Sequence, residues 1–142
     1  MKKVLLVSHT SGLPGGPPDK FYAYLKEKYI VSRIIHPLFP ITNQKSVIYN
    51  EDKKLEFKIP ALLQYALEGL YVLLYWNKNF KNLKIDLAIC FDSLSFLHIY
   101  LCKKILHIDK IIFYNVDYSK QRFSNSFLNA IYQKITKFSY VT

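Results

Sequence analysis

Short, almost uninterrupted apolar runs alternate along the chain with longer segments of helical periodicity. Four runs have the length of strands, residues 3–8, 29–35, 85–91 and 111–116, and the first and third suit buried strands of a parallel sheet. Helical spacing predicts four helices: residues 18–29, 60–80, 93–106 and 124–138. This alternation predicts a single Rossmann-like α/β domain, in which a parallel sheet carries helices on both faces and the crossovers are right-handed.

The three later helices each carry apolar side chains at the spacing of one face, and we expect that face to pack on the sheet. The expected inward positions are Leu63, Ala66, Leu67, Leu70 and Leu74, then Leu94, Leu97, Leu101 and Ile105, then Phe127, Leu128, Ile131, Tyr132 and Ile135. Aromatic residues broaden the first of these stripes. A partly exposed aromatic patch for membrane or partner contact is the alternative to buried packing for that helix.

Residues 37–60 have a less regular pattern. Within them, residues 47–49 and 55–59 predict short strands or a flap, but the pattern does not fix their place in the sheet. Residues 140–142 have the character of a strand that is just beginning.

Composition and charge narrow the class of protein. A chain of 142 residues with 51% hydrophobic residues fits one packed domain. The net charge is +10, and Arg33 and Arg122 are the only arginines. Since arginine is the usual residue for forked phosphate recognition, this is a poor nucleic-acid signature, and we expect no nucleic-acid partner. Compositional bias or attraction to an anionic membrane surface would explain the lysines.

The apolar segments and cysteines point to the cytoplasm. No apolar run reaches the ~20 residues that span a bilayer. The start of the chain imitates a signal peptide, but its apolar part ends at Ser8 and no small-residue cleavage site follows. Cys90 and Cys102 have neither CxxC nor zinc-ligand spacing, so we expect two small buried side chains in a reducing compartment.

Acidic residues follow two of the predicted strands, Asp92 after the third and Asp117 after the fourth. Ligands of open α/β sheets bind outside the carboxyl ends of the strands. If these strands are neighbours, both carboxylates face one cleft, where one could act as a general base on a hydroxyl or bind sugar hydroxyls. Capping of the following turn or helix is the alternative for each. Arg122 lies in the polar turn after Asp117.

A glycine loop, residues 12–16, follows the first strand. It is neither a Walker A loop nor a GxGxxG fingerprint. Gly15 and Gly16 would let the backbone approach a sugar or another polar ligand closely, and a plain turn is the alternative.

Two histidines, His9 and His36, fall near the ends of neighbouring candidate strands, so they could meet near a cleft. A histidine more often satisfies a local hydrogen bond than does chemistry. Without a GxSxG elbow, Ser8 and Ser93 are not nucleophile candidates.

Three segments together resemble a known family: residues 4–25, 86–94 and 113–125, the last with residues 128–132 behind it. They resemble the N-terminal domain of GT-B glycosyltransferases in the broad retaining family 4 group. Residues 4–25 are similar to the first strand, double-glycine loop and first helix of that domain, and the other two segments are similar to two of its later strand-and-turn elements. The likeness spans nearly the whole chain.

The resemblance implies transfer of a sugar from a nucleotide-sugar donor to a glycan or lipid-linked acceptor, usually without a metal ion, and we expect no cofactor. In such enzymes the N-terminal domain holds the acceptor, and a second Rossmann domain supplies most of the donor site. Many members work at the cytoplasmic membrane face, which implies peripheral membrane contact here. The implied roles are catalysis by Asp117 and substrate binding by Gly15, Gly16, Asp92, Tyr118 and Arg122.

The chain departs from the family pattern in two ways. Val116 stands where many relatives have a histidine, and the donor-binding domain is absent from residues 1–142. We therefore expect the acceptor-side half of an enzyme, inactive by itself. A non-catalytic binding module that pairs with a separate donor-domain subunit or with a membrane is the alternative. A nucleotide-binding or response-regulator-like domain is less favoured, since the first strand lacks an acidic cluster and no phosphate loop follows it.

Overall fold

The computed structural model describes residues 1–10, 15–38, 45–60, 63–80, 83–115 and 125–141. The strands are β1 (Lys3–Thr10), β2 (Ile30–Pro37), β3 (Ser46–Asn50), β4 (Lys53–Phe57), β5 (Ile85–Cys90) and β6 (Ile108–Phe113). The helices are α1 (Pro17–Leu25), α2 (Gln64–Asn79), α3 (Ser93–Cys102) and α4 (Ser126–Val141). The start of a strand predicted at residues 140–142 was wrong, because α4 continues to Val141.

The strands form one six-stranded sheet in the order β4-β3-β2-β1-β5-β6. β1, β2, β5 and β6 run parallel. At one edge β3 pairs antiparallel with β2, and β4 pairs antiparallel with β3. The predicted Rossmann-like α/β domain is confirmed, with a mixed sheet in place of a fully parallel one. The chain reverses after β2 because residues 38–45 are too few for a helical crossover, and a parallel connection needs about a dozen residues or more.

The helices lie on both faces of the sheet, as predicted. α2 and α3 cover the face that carries Leu5, Val7 and Ile34, which form the larger core. α1 covers the opposite face, where Phe21 and Leu25 pack against a smaller cluster of strand side chains. Both cores leave the carboxyl ends of the parallel strands free for polar side chains.

The predicted inward face of α2 was wrong at four positions. Leu63, Ala66, Leu70 and Leu74 are exposed, and the buried residues are instead Gln64, Glu68, Gly69, Val72 and Trp76. Helical periodicity alone does not distinguish two adjoining stripes on a helix that is apolar nearly all round. The polar partners of Gln64 and Glu68, described below, decide the rotation of α2.

The outer parts of α3 and α4 also differ from the prediction. Leu101 and Ile105 are exposed, as are Phe127, Leu128 and Ile131 on α4. The inward side of α4 includes Tyr132, Thr136 and Ser139. The hydroxyls of Thr136 and Ser139 donate to carbonyl oxygens one turn earlier in the same helix, at 3.0 and 2.9 Å. Burial of these two hydroxyls therefore leaves neither donor unsatisfied.

Cys90 and Cys102 are buried free cysteines, as predicted. None of the helices in the described ranges combines the length and the hydropathy needed to cross a bilayer.

Candidate functional site

A cluster of histidines and carboxylates lies at the carboxyl ends of β1 and β5. It begins with His9 and His36, which are direct neighbours in the register of β1 and β2. Their ring centroids are 5.3 Å apart, in agreement with the expectation that these two side chains meet. The side chain of His9 is 1% exposed, and His36 is 2% exposed.

Glu68 on α2 is the centre of the cluster and is fully buried. Its Oε2 atom lies 2.8 Å from Nε2 of His9, and its Oε1 atom accepts a hydrogen bond from Gln64 Nε2 at 3.1 Å. Gln64 and Glu68 are four residues apart, so both lie on the same side of α2. Gln64 also donates to the carbonyl oxygen of Pro37 at the end of β2, which holds α2 against the sheet.

Asp92 lies on the other side of His9 and is the N-cap of α3, which confirms the capping alternative for this residue. Its Oδ1 accepts from the backbone N–H of Ser95 at 2.9 Å, and its Oδ2 accepts from the Ser95 hydroxyl at 2.7 Å. The Oδ2 atom also lies 3.1 Å from the backbone nitrogen and 3.0 Å from Nδ1 of His9. Asp92 is therefore both a cap and a partner of His9, and its side chain is 14% exposed.

His9 is protonated at neutral pH. Burial by itself lowers the pKa of its imidazole, but hydrogen bonds and charge from Asp92 and Glu68 outweigh burial and raise that pKa to about 10. Burial raises the pKa of Asp92 and of Glu68, yet the His9 cation holds both below their ordinary values. The three groups thus form an imidazolium between two carboxylates, with a net charge of −1.

The other two histidines near Glu68 are neutral. Burial lowers the pKa of His36 to about 4, and its Nδ1 atom lies 2.9 Å from the Ser46 hydroxyl. Burial likewise lowers the pKa of His98. The Nδ1 atom of His98 is buried without a hydrogen-bond partner among the described residues, 3.8 Å from Glu68. His36 and His98 therefore contribute no charge to compensate the net −1.

This arrangement suits binding and positioning better than proton transfer. Asp92 is the member of the charged triad that reaches solvent, and its carboxylate is held ionised by its neighbours. A general base works best with a pKa near the operating pH, which the low pKa of Asp92 does not provide. A fixed, partly exposed carboxylate at the carboxyl end of a strand is instead an acceptor for hydroxyl groups or a partner for a cation. In the part of the chain that the structure describes, no group of three or more ligating side chains is arranged to hold a metal ion.

The glycine pair lies between β1 and α1, and Gly16 is the N-cap of α1. Gly15 has φ +91°, a conformation that glycine adopts readily. Its N–H donates to Asp19 at 2.9 Å, and Asp19 pairs with Arg33 at 2.5 Å. The Gly15 N–H is thus already used within the loop, and contact of this glycine pair with a substrate stays a prediction.

Three of the predicted site residues, Asp117, Tyr118 and Arg122, lie outside the described residues, as does Gly12. Their predicted roles therefore stay predictions. Of the remaining predicted residues, Asp92 lies in the charged cluster, whereas Gly15 and Gly16 belong to the loop after β1.

Sequence reasoning missed the contributions of Glu68, Gln64 and Ser95. The available signal was the pair of polar residues four apart inside an otherwise apolar helix, Gln64 and Glu68. Such a pair on a buried helix requires polar partners, and the histidines at the strand ends supply them.

Comparison of the chain with protein-family models, with curated proteins and with solved structures gave no match.

Proposed function

We propose that this chain is the acceptor-binding part of a glycosyltransferase, which moves a sugar from a nucleotide-sugar donor to a glycan or lipid-linked acceptor. The observation that carries the proposal is the ionised, partly exposed carboxylate of Asp92 at the carboxyl end of β5. It occupies the end of the sheet where open α/β folds bind their ligands. The donor site would come from a second domain or subunit.

Asp92 would bind an acceptor hydroxyl. Its Oδ2 atom already has three short contacts, with the backbone nitrogen and ring of His9 and with the Ser95 hydroxyl, whereas Oδ1 has one, with the Ser95 N–H. An ionised carboxylate oxygen has two lone pairs, so Oδ1 retains one for a sugar O–H. His9 and Ser95 keep this carboxylate ionised and fixed, which avoids reorganisation when the acceptor binds.

An aromatic side chain at the same end of the sheet would support a sugar ring. Tyr114 follows β6 and is 43% exposed. Its ring lies 5.7 Å from that of Phe91, the residue before Asp92, and 5.1 Å from that of Phe21 on α1. A held aromatic ring presents a flat apolar face to the C–H groups of a sugar, while a nearby carboxylate takes its hydroxyls.

Proton transfer would belong to Asp117, with Tyr118 and Arg122 contacting substrate beside it. None of the carboxylates in the described cluster has a pKa suited to a base at neutral pH, because the His9 cation lowers both. The expected effect of Asp117→Asn in a complete enzyme is loss of turnover. Unchanged turnover would contradict this assignment.

A non-catalytic sugar-binding module is the second candidate function. The same observation favours it, since the described cluster has an acceptor for hydroxyls but no base near neutrality. The two candidates differ in one measurement. Adding a donor-domain protein to this chain produces sugar transfer in the first case and only binding in the second.

NMR titration of the ¹⁵N-labelled chain with methyl glycosides of glucose, galactose, mannose and N-acetylglucosamine tests acceptor binding. We expect shifts at Gly16, Asp92 and Tyr114, and loss of binding in Asp92→Asn and Tyr114→Ala. Asp109→Asn is the matched control, since Asp109 is exposed at the opposite end of the sheet. Absence of glycoside binding, or equal losses in Asp109→Asn, would contradict the proposal.

A further inference from the structure

We propose that the end of the molecule opposite Asp92 docks on an anionic lipid bilayer. The surface consists of Ile105, of Leu101 in the last turn of α3, and of the lysines that line two adjoining depressions, Lys78, Lys84, Lys103 and Lys104. It is called the basic corner below. The proposal is independent of the glycosyltransferase proposal, because it uses none of the residues in the His9 cluster.

The basic corner surrounds two open depressions that meet at His107. The first has a volume of about 530 Å³, and its apolar lining includes Trp76, Phe80 and Ile105. The second has a volume of about 440 Å³ and is lined by Lys84, Lys103, Lys104, His107, Ile108 and Asp109. Lysines and apolar side chains thus line both depressions, since Lys78 belongs to the first and Ile108 to the second. A surface of this kind suits a bilayer, in which charged headgroups lie above an acyl layer.

The apolar part of the corner has no partner within the described structure. Leu101 in the last turn of α3 is 68% exposed, and Ile105 in the turn after α3 is 51% exposed. On α2, Leu74 is 59% exposed and comes four residues before Lys78. Large apolar side chains that lie beside lysines can enter the headgroup boundary while the ammonium groups stay at its surface.

The charge of the corner complements an anionic surface. Lys84 pairs with Asp109 at 3.0 Å. Lys78, Lys103 and Lys104 form no ion pair with any residue that the structure describes. Compensation of the helix dipole would explain Lys78 in the last turn of α2 and Lys103 at the C-cap of α3. It does not explain Lys104, or the exposed Leu101 and Ile105 beside it, whereas a bilayer with anionic headgroups takes up both the charge and the apolar side chains.

Docking at this corner also fixes the orientation of the molecule. α3 ends at the amino ends of β5 and β6, while Asp92 follows the carboxyl end of β5. Six residues of strand span roughly 20 Å, so docking would hold Asp92 about that far above the headgroups. Any acceptor anchored in the same bilayer would have to extend over that distance.

Co-sedimentation with lipid vesicles tests the proposal. We expect the full chain to bind vesicles of mixed phosphatidylglycerol and phosphatidylcholine, to ignore pure phosphatidylcholine, and to dissociate at high salt. Because a lysine near an anionic surface contributes about fivefold to binding, Lys103→Gln with Lys104→Gln should weaken the partition roughly 30-fold. The matched control is Lys53→Gln with Lys58→Gln, which makes the same change of charge beside β4 at the far edge of the sheet and should leave the partition unchanged.

A second pair of variants tests the apolar contact. Leu101→Ser with Ile105→Ser should weaken binding, whereas Phe127→Ser with Leu128→Ser on α4 should not, and all four positions are exposed, so the variants should fold. Failure to bind anionic vesicles, equal losses in both lysine pairs, or full binding by the Leu101 and Ile105 variant would overturn the proposal. A dimer that forms without lipid, and that Leu101→Ser with Ile105→Ser dissociates, would also overturn the proposal. The basic corner would then bind a second copy of the chain.

Discussion

Nε2 of His9 lies 2.8 Å from Oε2 of Glu68, and both side chains are almost completely shielded from solvent. Through its other ring nitrogen, His9 contacts Asp92, so one protonated ring joins the end of β1 to α2 and to the start of α3. A buried cation with two anionic partners ties the stability of the fold to the protonation of that ring.

Stability should fall as the pH rises above neutrality. The pKa of His9 is raised to about 10, against about 6.5 in an unfolded chain. Between these values the folded chain keeps a proton that the unfolded chain has lost. The free energy of unfolding should therefore decrease by up to about 1.4 kcal/mol per pH unit. Urea denaturation at pH 6.5 to 9.5 should show this slope, and His9→Gln should flatten it. An equal slope in His9→Gln would contradict the assignment.

Stability should also fall as the pH drops below about 6.5, for the opposite reason. The pKa of His36 is lowered to about 4, so between the two values the unfolded chain binds a proton that the folded chain excludes. Together with the alkaline limb, this predicts maximal stability near pH 6.5. His36→Gln should reduce the acid limb from pH 6.5 to 5 in the same urea series to the part that His98 contributes, and should leave the alkaline limb unchanged. A change in both limbs would show that His36 does not titrate separately from His9.

Removal of the Glu68 charge should destabilise the chain far more than removal of an exposed carboxylate. Glu68→Gln keeps the shape of the side chain but leaves His9 with one anionic partner, and breaking a buried pair costs about 3–5 kcal/mol. Glu56→Gln is the matched control, because Glu56 pairs with Lys45 and Lys54 on the surface, where solvent screens the charges and loss of the pair should matter little. Urea midpoints compare the two variants. Equal urea midpoints would mean that the charge of Glu68 does not contribute to the stability of the fold.

The strand pattern was enough to predict the α/β fold, because buried parallel strands appear as continuous apolar runs at residues 3–8 and 85–91. The rotation of α2 could not be predicted, since leucines and the Gln64–Glu68 pair occupy adjoining stripes. Which of the two stripes faces the sheet depends on the strand order that brings His9 and His36 beneath α2. Periodicity is local, whereas the partners that make a buried carboxylate acceptable come from distant parts of the chain.

The rotation of α2 can be tested by truncating one side chain from each stripe. Val72 is 3% exposed and Leu70 is 51% exposed. Val72→Ala should cost about 1–3 kcal/mol, as expected for deletion of buried methyl groups. Leu70→Ala should stay within about 0.5 kcal/mol, because alanine favours the helix and little burial is lost. Urea denaturation measures both costs. A larger cost for Leu70→Ala than for Val72→Ala would show that the leucine stripe predicted from periodicity faces the core.

Two glycine-to-alanine changes should shift stability in opposite directions. An added Cβ at Gly15 meets nothing within 4 Å, so any cost arises from the backbone, whose φ of +91° disfavours alanine by about 1–2 kcal/mol. Gly69 lies inside α2 with ordinary helical φ, where alanine is favoured by roughly 0.5–1 kcal/mol. The new Cβ would lie 3.4 Å from the His98 ring, an ordinary contact distance. Thermal unfolding of both variants should therefore give a lower midpoint for Gly15→Ala and a higher one for Gly69→Ala. A lower midpoint for Gly69→Ala would show that α2 and α3 pack too closely at His98 to accept a methyl group.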